Sequence, residues 1–333
     1  MNILILFGFF LSFFIVFFSV PYWIKKMKQL GFLWEDMNKP GNPKNVAASG
    51  GIVVIISFIL GVFWYIAVKT FILKEIDGIN IKIFALTSVI LILSIVGIID
   101  DWFGWHSGGL SKRTRIILAL FASIPLVVIN AGTSIMNFPF LGNINFGIFY
   151  PLFLVPLGIV GATTTYNFLA GFNGLETGQG ILILSFLSLV AYLNGHAWLA
   201  IIGLTMVSSL IGFWFYNRYP AKVFPGDSLT WSIGALIACM AILGNFEKIA
   251  VFVFIPYILE TGLKLRGKLK KQSFGKPNKD KTLDLRYRKI YGLEHFSIYL
   301  MKKLKIKPTE KKVVYSIHAF QIFIIILAII FFF

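Results

Sequence analysis

The sequence predicts an all-α, polytopic integral membrane protein with about ten transmembrane helices, and three observations carry that prediction. Of the 333 residues, 57% are hydrophobic and only 14% charged, whereas about a quarter of a soluble domain is charged. Mean hydropathy is +0.82. The apolar residues are also gathered into runs, and a bilayer core takes roughly 17–25 residues of helix to cross.

Those runs lie at 3–23, 51–71, 83–99, 115–131, 149–167, 179–195, 198–216, 228–244, 249–263 and 315–333. Pro256 and Glu260 interrupt the ninth, so it is predicted to be bent or broken. The first has neither a basic leader nor a small-residue cleavage site, and it reads as a retained span. Lys25, Lys26 and Lys28 follow it directly, which puts its C-terminal end in the cytosol. Alternation from there makes 24–50, 100–114, 168–178, 217–227 and 264–314 cytosolic. The first loop carries five Lys and Arg, the second three with the adjoining Arg115, the third none, the fourth two and the fifth seventeen. The other four, Lys69, Lys74, Lys82 and Lys248, fall on the opposite side. Both termini are therefore expected to be non-cytosolic.

This topology accounts for the net charge of +17 without nucleic acid as a partner, since Lys and Arg collect beside anionic headgroups. The single cysteine, Cys239, lies in an apolar run, so no disulfide framework or Cys-based metal site is expected. Within the basic cytosolic loop 264–314, Leu293, Phe296, Leu300 and Leu304 recur at helical spacing among lysines. That pattern fits a helix lying at the membrane interface; a solvated basic loop is the alternative.

Three cytosolic loops carry residues that composition does not require. After the third span come Asp100 and Asp101. Two carboxylates at a helix C-terminus oppose the macrodipole and call for a cation, with Arg115 or Lys112 as the partner; a plain acidic loop pair is the alternative. The stretch Tyr166–Gly180 is rich in Gly and Asn, with Asn167, Gly171 and Asn173 able to approach and read a ligand, or simply to make a tight helix–helix turn. Before the eighth span, Phe224-Pro225-Gly226-Asp227-Ser228 places a lone carboxylate at a helix start, where N-capping is the plain reading. Taken together, Asp100, Asp101, Asn167 and Asp227 form an oxygen-rich set on one membrane face. Such a set suits Mg2+ or Mn2+ better than zinc, and His106, His196, His295 and His318 are scattered.

In these loops, and in order and spacing from Asp36-Met37-Asn38-Lys39 onward, the sequence resembles the polyprenyl-phosphate N-acetylhexosamine-1-phosphate transferase superfamily. The wording Asn167-Phe-Leu-Ala-Gly-Phe-Asn-Gly-Leu-Glu176 is closer to the dolichyl-phosphate branch; the bacterial branch typically has aspartates where Ala170 and Asn173 stand. The resemblance implies one transmembrane catalytic domain over 1–333 that transfers GlcNAc-1-phosphate from UDP-GlcNAc to dolichyl or another polyprenyl phosphate, giving UMP. It implies a multi-pass protein of the cell membrane, or of the endoplasmic reticulum in a eukaryote, with a cytosolic active site. An archaeal chain feeding N-glycan assembly is favoured, and a homodimer is compatible with the family.

Carried over residue by residue, the resemblance makes Asp227 and Asn167 the metal ligands, with Mg2+ (or Mn2+) as cofactor. Phe224 would stack on uracil, Asn173 would read its edge, and Gly171 would let the backbone approach. Asp100, Asp101 and Arg115 would act at the carrier phosphate, with Lys112 beside them. Arg266 and Lys268 stand where the family has a His- or Arg-rich pyrophosphate motif. Three departures accompany this: Arg115 replaces the usual Lys, histidine is missing from Arg266-Gly267-Lys268, and Ala48 stands where dolichol enzymes tend to have Glu. Asp100 as general base and direct attack by the phosphate dianion are both open. Another UDP-amino sugar or undecaprenyl phosphate is the nearest rival reading, and a transporter a distant one.

Overall fold

Helix dominates because backbone N–H and C=O groups in an apolar run can be satisfied only within the run itself. The computed structural model describes residues 3–75, 77–138 and 142–333. In chain order these form α1 (Ile3–Gln29), strands β1 (Leu33–Glu35) and β2 (Lys44–Ala47), α2 (Gly51–Ala67) with a π turn to Ile72, and α3 (Ile79–Ser107). Next come α4 (Lys112–Ala122), α5 (Ile124–Val128), β3 (Ile135–Phe138), β4 (Gly142–Asn145), a π turn at Tyr150–Leu154 and α6 (Val155–Tyr166). Then follow α7 (Leu175–Leu193), α8 (Ala197–Asn217), α9 (Asp227–Gly244), α10 (Glu247–Val253) and α11 (Ile255–Arg266). Strands β5 (Lys276–Pro277) and β6 (Leu283–Asp284), α12 (Leu293–Lys303) and α13 (Glu310–Phe332) complete the chain. The three two-stranded antiparallel ladders are additions to the all-α expectation.

Among the described residues, seven helices are long and apolar enough to cross a membrane: α1, α2 with its π turn, α3, α7, α8, α9 and α13. The remaining three expected runs fold as interrupted helices. The run 115–131 divides at Ser123, ahead of Pro125; 149–167 passes through a π turn holding Pro151 before α6, which has Pro156 in its first turn. The run 249–263 divides at Phe254, just before Pro256. Proline removes an N–H and clashes with the preceding turn, so each of these runs is helical in pieces.

Helix α9 is the centre of the bundle, with 94% of its span buried. Small residues let its neighbours come close. A Cβ on Gly97 of α3 would lie 2.4 Å from the Ser228 nitrogen, and one on Gly234 of α9 would lie 2.6 Å from the Ala162 carbonyl oxygen of α6. By contrast α1 and α13 turn Phe7, Phe10, Phe14, Phe18, Ile322 and Ile326 outward, as lipid-facing helices do.

The C-terminal ends of α3, α6 and α11 and the N-terminal ends of α2, α4, α7, α9 and α13 meet at one end of the bundle, joined by the hydrogen bonds described below. The 264–309 segment folds back onto that end rather than trailing as coil. The Gly275 N–H donates to Asn38 Oδ1 (3.1 Å), and His295 Nε2 lies 3.1 Å from the Phe274 carbonyl oxygen. In α12, Glu294, His295, Ser297 and Ile298 face inward while Phe296, Leu300 and Leu304 are exposed. Three of the four residues of the expected stripe thus share an outer face, and Leu293 is buried.

Candidate active site

The segment 44–51 and the segment 222–227 run side by side, and this pairing builds the site. The Phe224 N–H donates to the Ala47 carbonyl (2.8 Å), and the Gly50 and Gly51 N–H groups donate to the carbonyls of Phe224 (2.8 Å) and Pro225 (2.9 Å). The pairing sets Ser49 beside the first turn of α9. Asp101, which with Asp100 lies inside α3 because that helix runs on to Ser107 rather than ending in a loop before them, completes the junction: its carboxylate accepts from Ser49 Oγ (2.8 Å) and from the Asp227 N–H (2.8 Å). The cap of α9 is therefore supplied from another helix. Its own N-cap position is Gly226 at φ 72°, where a Cβ would strike the Asp101 carboxylate. Asp227 is thereby released from capping, and its side chain remains 24% exposed.

Asp100 points differently. Its Oδ1 accepts from the Leu110 N–H (2.6 Å) and from Arg115 Nη2 (3.1 Å), and its Oδ2 lies 2.8 Å from Arg115 Nε. Asp100 is almost wholly buried and Arg115 32% exposed, so the guanidinium bridges the interior to the cleft. Its Nη1 lies 3.8 Å from Asp227 Oδ2. A planar fork gripping one carboxylate while reaching a second is a geometry that Lys could not reproduce. The guanidinium thus stands between two carboxylates, Asp100 and Asp227, whose repulsion a cation close by relieves.

Asn167, the C-cap of α6, donates to Asp227 Oδ1 (3.1 Å) and accepts from Thr230 Oγ1 (3.1 Å). Among the described residues no three His, Cys, Asp or Glu side chains converge as a metal cage. Mg2+ needs none, because it keeps several waters and takes one or two carboxylates together with substrate phosphates. Asp227, 24% exposed to the cleft with Asn167 alongside, fits that sparse mode.

Two cavities meet here. One, of about 290 Å3, is lined by Trp34, Met37, Gly171, Phe224, Asp227 and Phe274 among others. The other, of about 400 Å3, is lined by Lys112, Arg115, Lys264, Lys271, Gln272 and Trp231 among others. They share Asn167 and Phe274. Gly171 is at φ 104°, where a Cβ would press on the Phe274 ring, and Glu176 Oε1 accepts its N–H (2.7 Å). A separate apolar groove of about 450 Å3 runs along α6, α9, α10 and α11 and shares no lining residue with either cavity.

The structure thus brings Asp100, Asp101, Lys112, Arg115, Asn167, Gly171, Phe224 and Asp227 together. It does not bring Asn173, Arg266 or Lys268 to either cavity. Asn173 is buried behind the glycine-rich loop, where its side chain accepts from the Ala221 N–H (2.9 Å) and Lys39 (3.2 Å) and donates to Asp36 (3.3 Å). Its geometry fixes the loop. Arg266 is exposed beside the Tyr291 ring and Lys268 points outward, because α11 ends between them at Gly267. Sequence reasoning missed Lys264, Lys271, Phe274, Glu176, Ser49 and Trp34. Only Lys264 and Lys271 left a signal, two further cations in the same basic run.

A multi-pass helical membrane protein with a half-buried carboxylate–guanidinium cluster at one end, open to an aromatic-walled and a cation-lined cavity, is the class that fold and site define. Within that class the chain belongs to glycosyl transferase family 4, whose model matches residues 83–245. It is 37% identical over 268 residues to a provisionally named UDP-N-acetylglucosamine–dolichyl-phosphate N-acetylglucosaminephosphotransferase of Saccharolobus solfataricus, covering 80% of this chain and 79% of that one. It is 32% identical over 261 residues to the enzyme so named in Dictyostelium discoideum, covering 67% and 62%. It is 31% identical over 232 residues to a phospho-N-acetylmuramoyl-pentapeptide-transferase of Clostridium perfringens, covering 68% of each.

Proposed function

We propose that this chain transfers GlcNAc-1-phosphate from UDP-GlcNAc to dolichyl or a related polyprenyl phosphate, releasing UMP, as an initiating step of lipid-linked glycan assembly. The observation that carries the reading is the meeting, at Asn167 and Phe274, of an aromatic-walled cavity that holds Asp227 and a cation-lined cavity that holds Arg115. A water-soluble nucleotide sugar and a membrane-bound acceptor need access of just this kind. The relatives' names supply the sugar and the carrier.

In this reading α4 with α5, the π turn with α6, and α10 with α11 each complete a crossing, giving ten. Both termini are then non-cytosolic and the site cytosolic. Phe224, with Trp34, Met37 and Phe274, forms the wall against which uracil stacks. The Gly171 turn brings backbone close to it, and Asn173 holds that turn in shape. Lys271 and Lys112 neutralise the diphosphate and the acceptor phosphate, while Lys264, paired with Glu260 (3.4 Å), shapes the cavity wall.

Asp227 and Asn167 would hold Mg2+, which supplies neutralisation of the charge that develops on departing UMP. Arg115 orients the acceptor phosphate while Asp100 fixes the guanidinium plane. The second pKa of a phosphate monoester is near 6, so the acceptor is largely dianionic at neutral pH. A residue that takes a proton is therefore unnecessary, and catalysis rests on alignment and charge compensation. The reaction breaks the bond between the two phosphates of UDP-GlcNAc and forms one between the carrier and sugar phosphates.

The test is turnover by the purified protein with dolichyl phosphate, radiolabelled UDP-GlcNAc and Mg2+, with and without chelator. Label entering the lipid phase with UMP release, lost on chelation and restored by Mg2+, is the expected result. Transfer from a different UDP-sugar alone would overturn the donor assignment, and transfer unaffected by chelator would overturn the cofactor.

A further inference from the structure

On the opposite side of the glycine-rich loop lies a further cavity of about 420 Å3, lined among others by Trp214, Arg218, Tyr219, Lys222, Lys311 and Tyr315. It shares no lining residue with the cavity that holds Asp227. Three of its walls are cationic and none is acidic. Among the described residues, Arg218, Lys222 and Lys311 make no ion pair with a carboxylate. The nearby Glu310 carboxylate is turned away, accepting from the Asn173 N–H (2.9 Å) and pairing with Lys39. Such a pocket carries positive charge that the protein itself does not neutralise.

Aromatic rings fix the cations in place. The Arg218 guanidinium lies 5.1 Å from the Trp214 ring and 5.5 Å from that of Phe215, and Lys311 lies 5.8 Å from the Tyr315 ring. Trp214 and Phe215 belong to the last turn of α8, and Tyr315 and His318 to the first turns of α13. Both helices are among the long apolar spans, and Arg218 and Lys222 stand just beyond the end of α8. Phe215 is 43% and Tyr315 50% exposed, so apolar surface continues from the pocket along the spans. Cations at the rim, aromatic rings at the boundary and apolar wall below match the cross-section of a phospholipid at the headgroup level. A free anion would need only the rim.

We infer that this pocket binds the headgroup of an anionic phospholipid and couples it to the glycine-rich loop. The connection is short. Tyr219, in the pocket wall, lies under the Lys39 ammonium (4.2 Å), and Lys39 donates to Asn173 Oδ1 (3.2 Å). Asn38, next to Lys39, donates to the Gly171 carbonyl (2.9 Å), and Gly171 lines the Asp227 cavity. A phosphate drawing Lys311 and Arg218 together over Tyr219 braces that chain of contacts. The lipid thus acts as a positive effector.

The test has a binding arm that does not depend on the proposed reaction and an activity arm that rests on it. Native mass spectrometry of the purified protein would count retained phosphatidylglycerol and phosphatidylcholine in the wild type and in the Arg218→Gln/Lys311→Gln variant. The double variant is expected to weaken phosphatidylglycerol retention about thirtyfold, from the loss of two interfacial cations, with phosphatidylcholine unchanged. The charge-preserving Arg218→Lys/Lys311→Arg variant should retain the lipid, which separates lost charge from misfolding. Equal retention of phosphatidylglycerol in the wild type and the Gln variant would overturn the site. So would its displacement by millimolar inorganic phosphate, which would mark a free-anion site, or selective loss of polyprenyl phosphate instead, which would assign the pocket to the acceptor. In nanodiscs, turnover should rise with phosphatidylglycerol content in the wild type and stay flat in the Gln variant; a parallel rise in both would remove the coupling.

Discussion

The carboxylate cluster at the ends of α3 and α9 and the basic segment after α11 are both charged, both at the same end of the bundle, and held in opposite ways. In the cluster every side chain stands on or caps a helix, and close backbone packing at Gly97 and Gly234 sets α3, α6 and α9 against one another. Asp100 and Asp101 are then sorted by partner: one grips Arg115, the other caps α9. In the basic segment the backbone turns after Gly267, and the direction of each lysine is decided by long-range bonds such as those to Asn38 and Phe274. Charges there reach different surroundings, with Lys271 lining the cavity shared with Arg115 and Lys268 exposed on the outer surface. Helices thus give direction to a charge, whereas loop charges acquire it only from the tertiary fold.

The largest effect should come from Asp227. Asp227→Ala removes the proposed metal ligand but leaves the α9 cap, since Asp101 binds a backbone N–H that alanine retains. Turnover is expected to fall by ~10^3-fold or more, with the melting temperature close to wild type. Appreciable turnover in this variant would end the assignment. Asp101→Asn sharpens the same contrast: the amide oxygen can still accept from the Asp227 N–H and its NH2 can donate to Ser49 Oγ. Turnover within about tenfold of wild type is expected, as for a group that positions another through retained hydrogen bonds. A collapse equal to that of Asp227→Ala would mean that the Asp101 charge itself takes part.

Next in size is a contrast within the basic segment. Lys271→Ala should raise KM for the nucleotide sugar by roughly tenfold, the scale of one charge-assisted hydrogen bond. Arg266→Ala and Lys268→Ala, on the outer surface, should leave kcat and KM within about twofold, since surface changes away from special features lie within ±0.5 kcal/mol. Steady-state kinetics on the three variants decides it, and the reverse order would restore Arg266 and Lys268 to the site.

What could be read from the sequence follows the same division. The apolar runs, the broken ninth run and the gathering of Asp100, Asp101, Asn167 and Asp227 were legible because hydropathy and motif order carry them locally. The interrupted form of runs 115–131 and 149–167 was foreshadowed by Pro125, Pro151 and Pro156, but a hydropathy run does not reveal where the helix gives way. The pairing of 47–51 with 222–225, which brings Ser49 to Asp101, joins segments more than 170 residues apart in sequence and leaves no periodic trace. Asn173 read as a ligand-facing amide because the motif gives residue type, and only the fold shows which side of the loop its amide faces. The trans-cap by Asp101 was hidden by a simpler reading, in which Asp227 or Ser228 capped its own helix.

The smallest expected effect tests the tertiary anchoring of the basic segment. His295 lies in α12 with Nε2 against the Phe274 carbonyl, so Nε2 carries the proton and Nδ1, buried without a partner, does not. Burial first, then the nearby Lys264 and Arg286 charges, hold the imidazole below its ordinary pKa despite the opposing hydrogen bond. The folded protein therefore keeps His295 neutral where the unfolded chain has begun to take up a proton. Its contribution is intact above the ordinary histidine value of ~6.5 and is lost as pH falls below that value toward the lowered folded pKa. The opposite sign attends the adjacent Glu294, whose carboxyl burial raises well above the usual range, with Glu260 adding to the rise. Its penalty therefore grows with pH, from the ordinary carboxylate pKa up to its raised folded value. Thermal unfolding measured from pH 7.5 down to pH 5.5 should thus show a His295-linked loss of stability that His295→Gln abolishes, and limited proteolysis should place the early opening in the 264–309 segment. If the variant and wild type lose stability in parallel, His295 is not what ties this segment to the bundle, and the Asn38–Gly275 bond becomes the anchor to test.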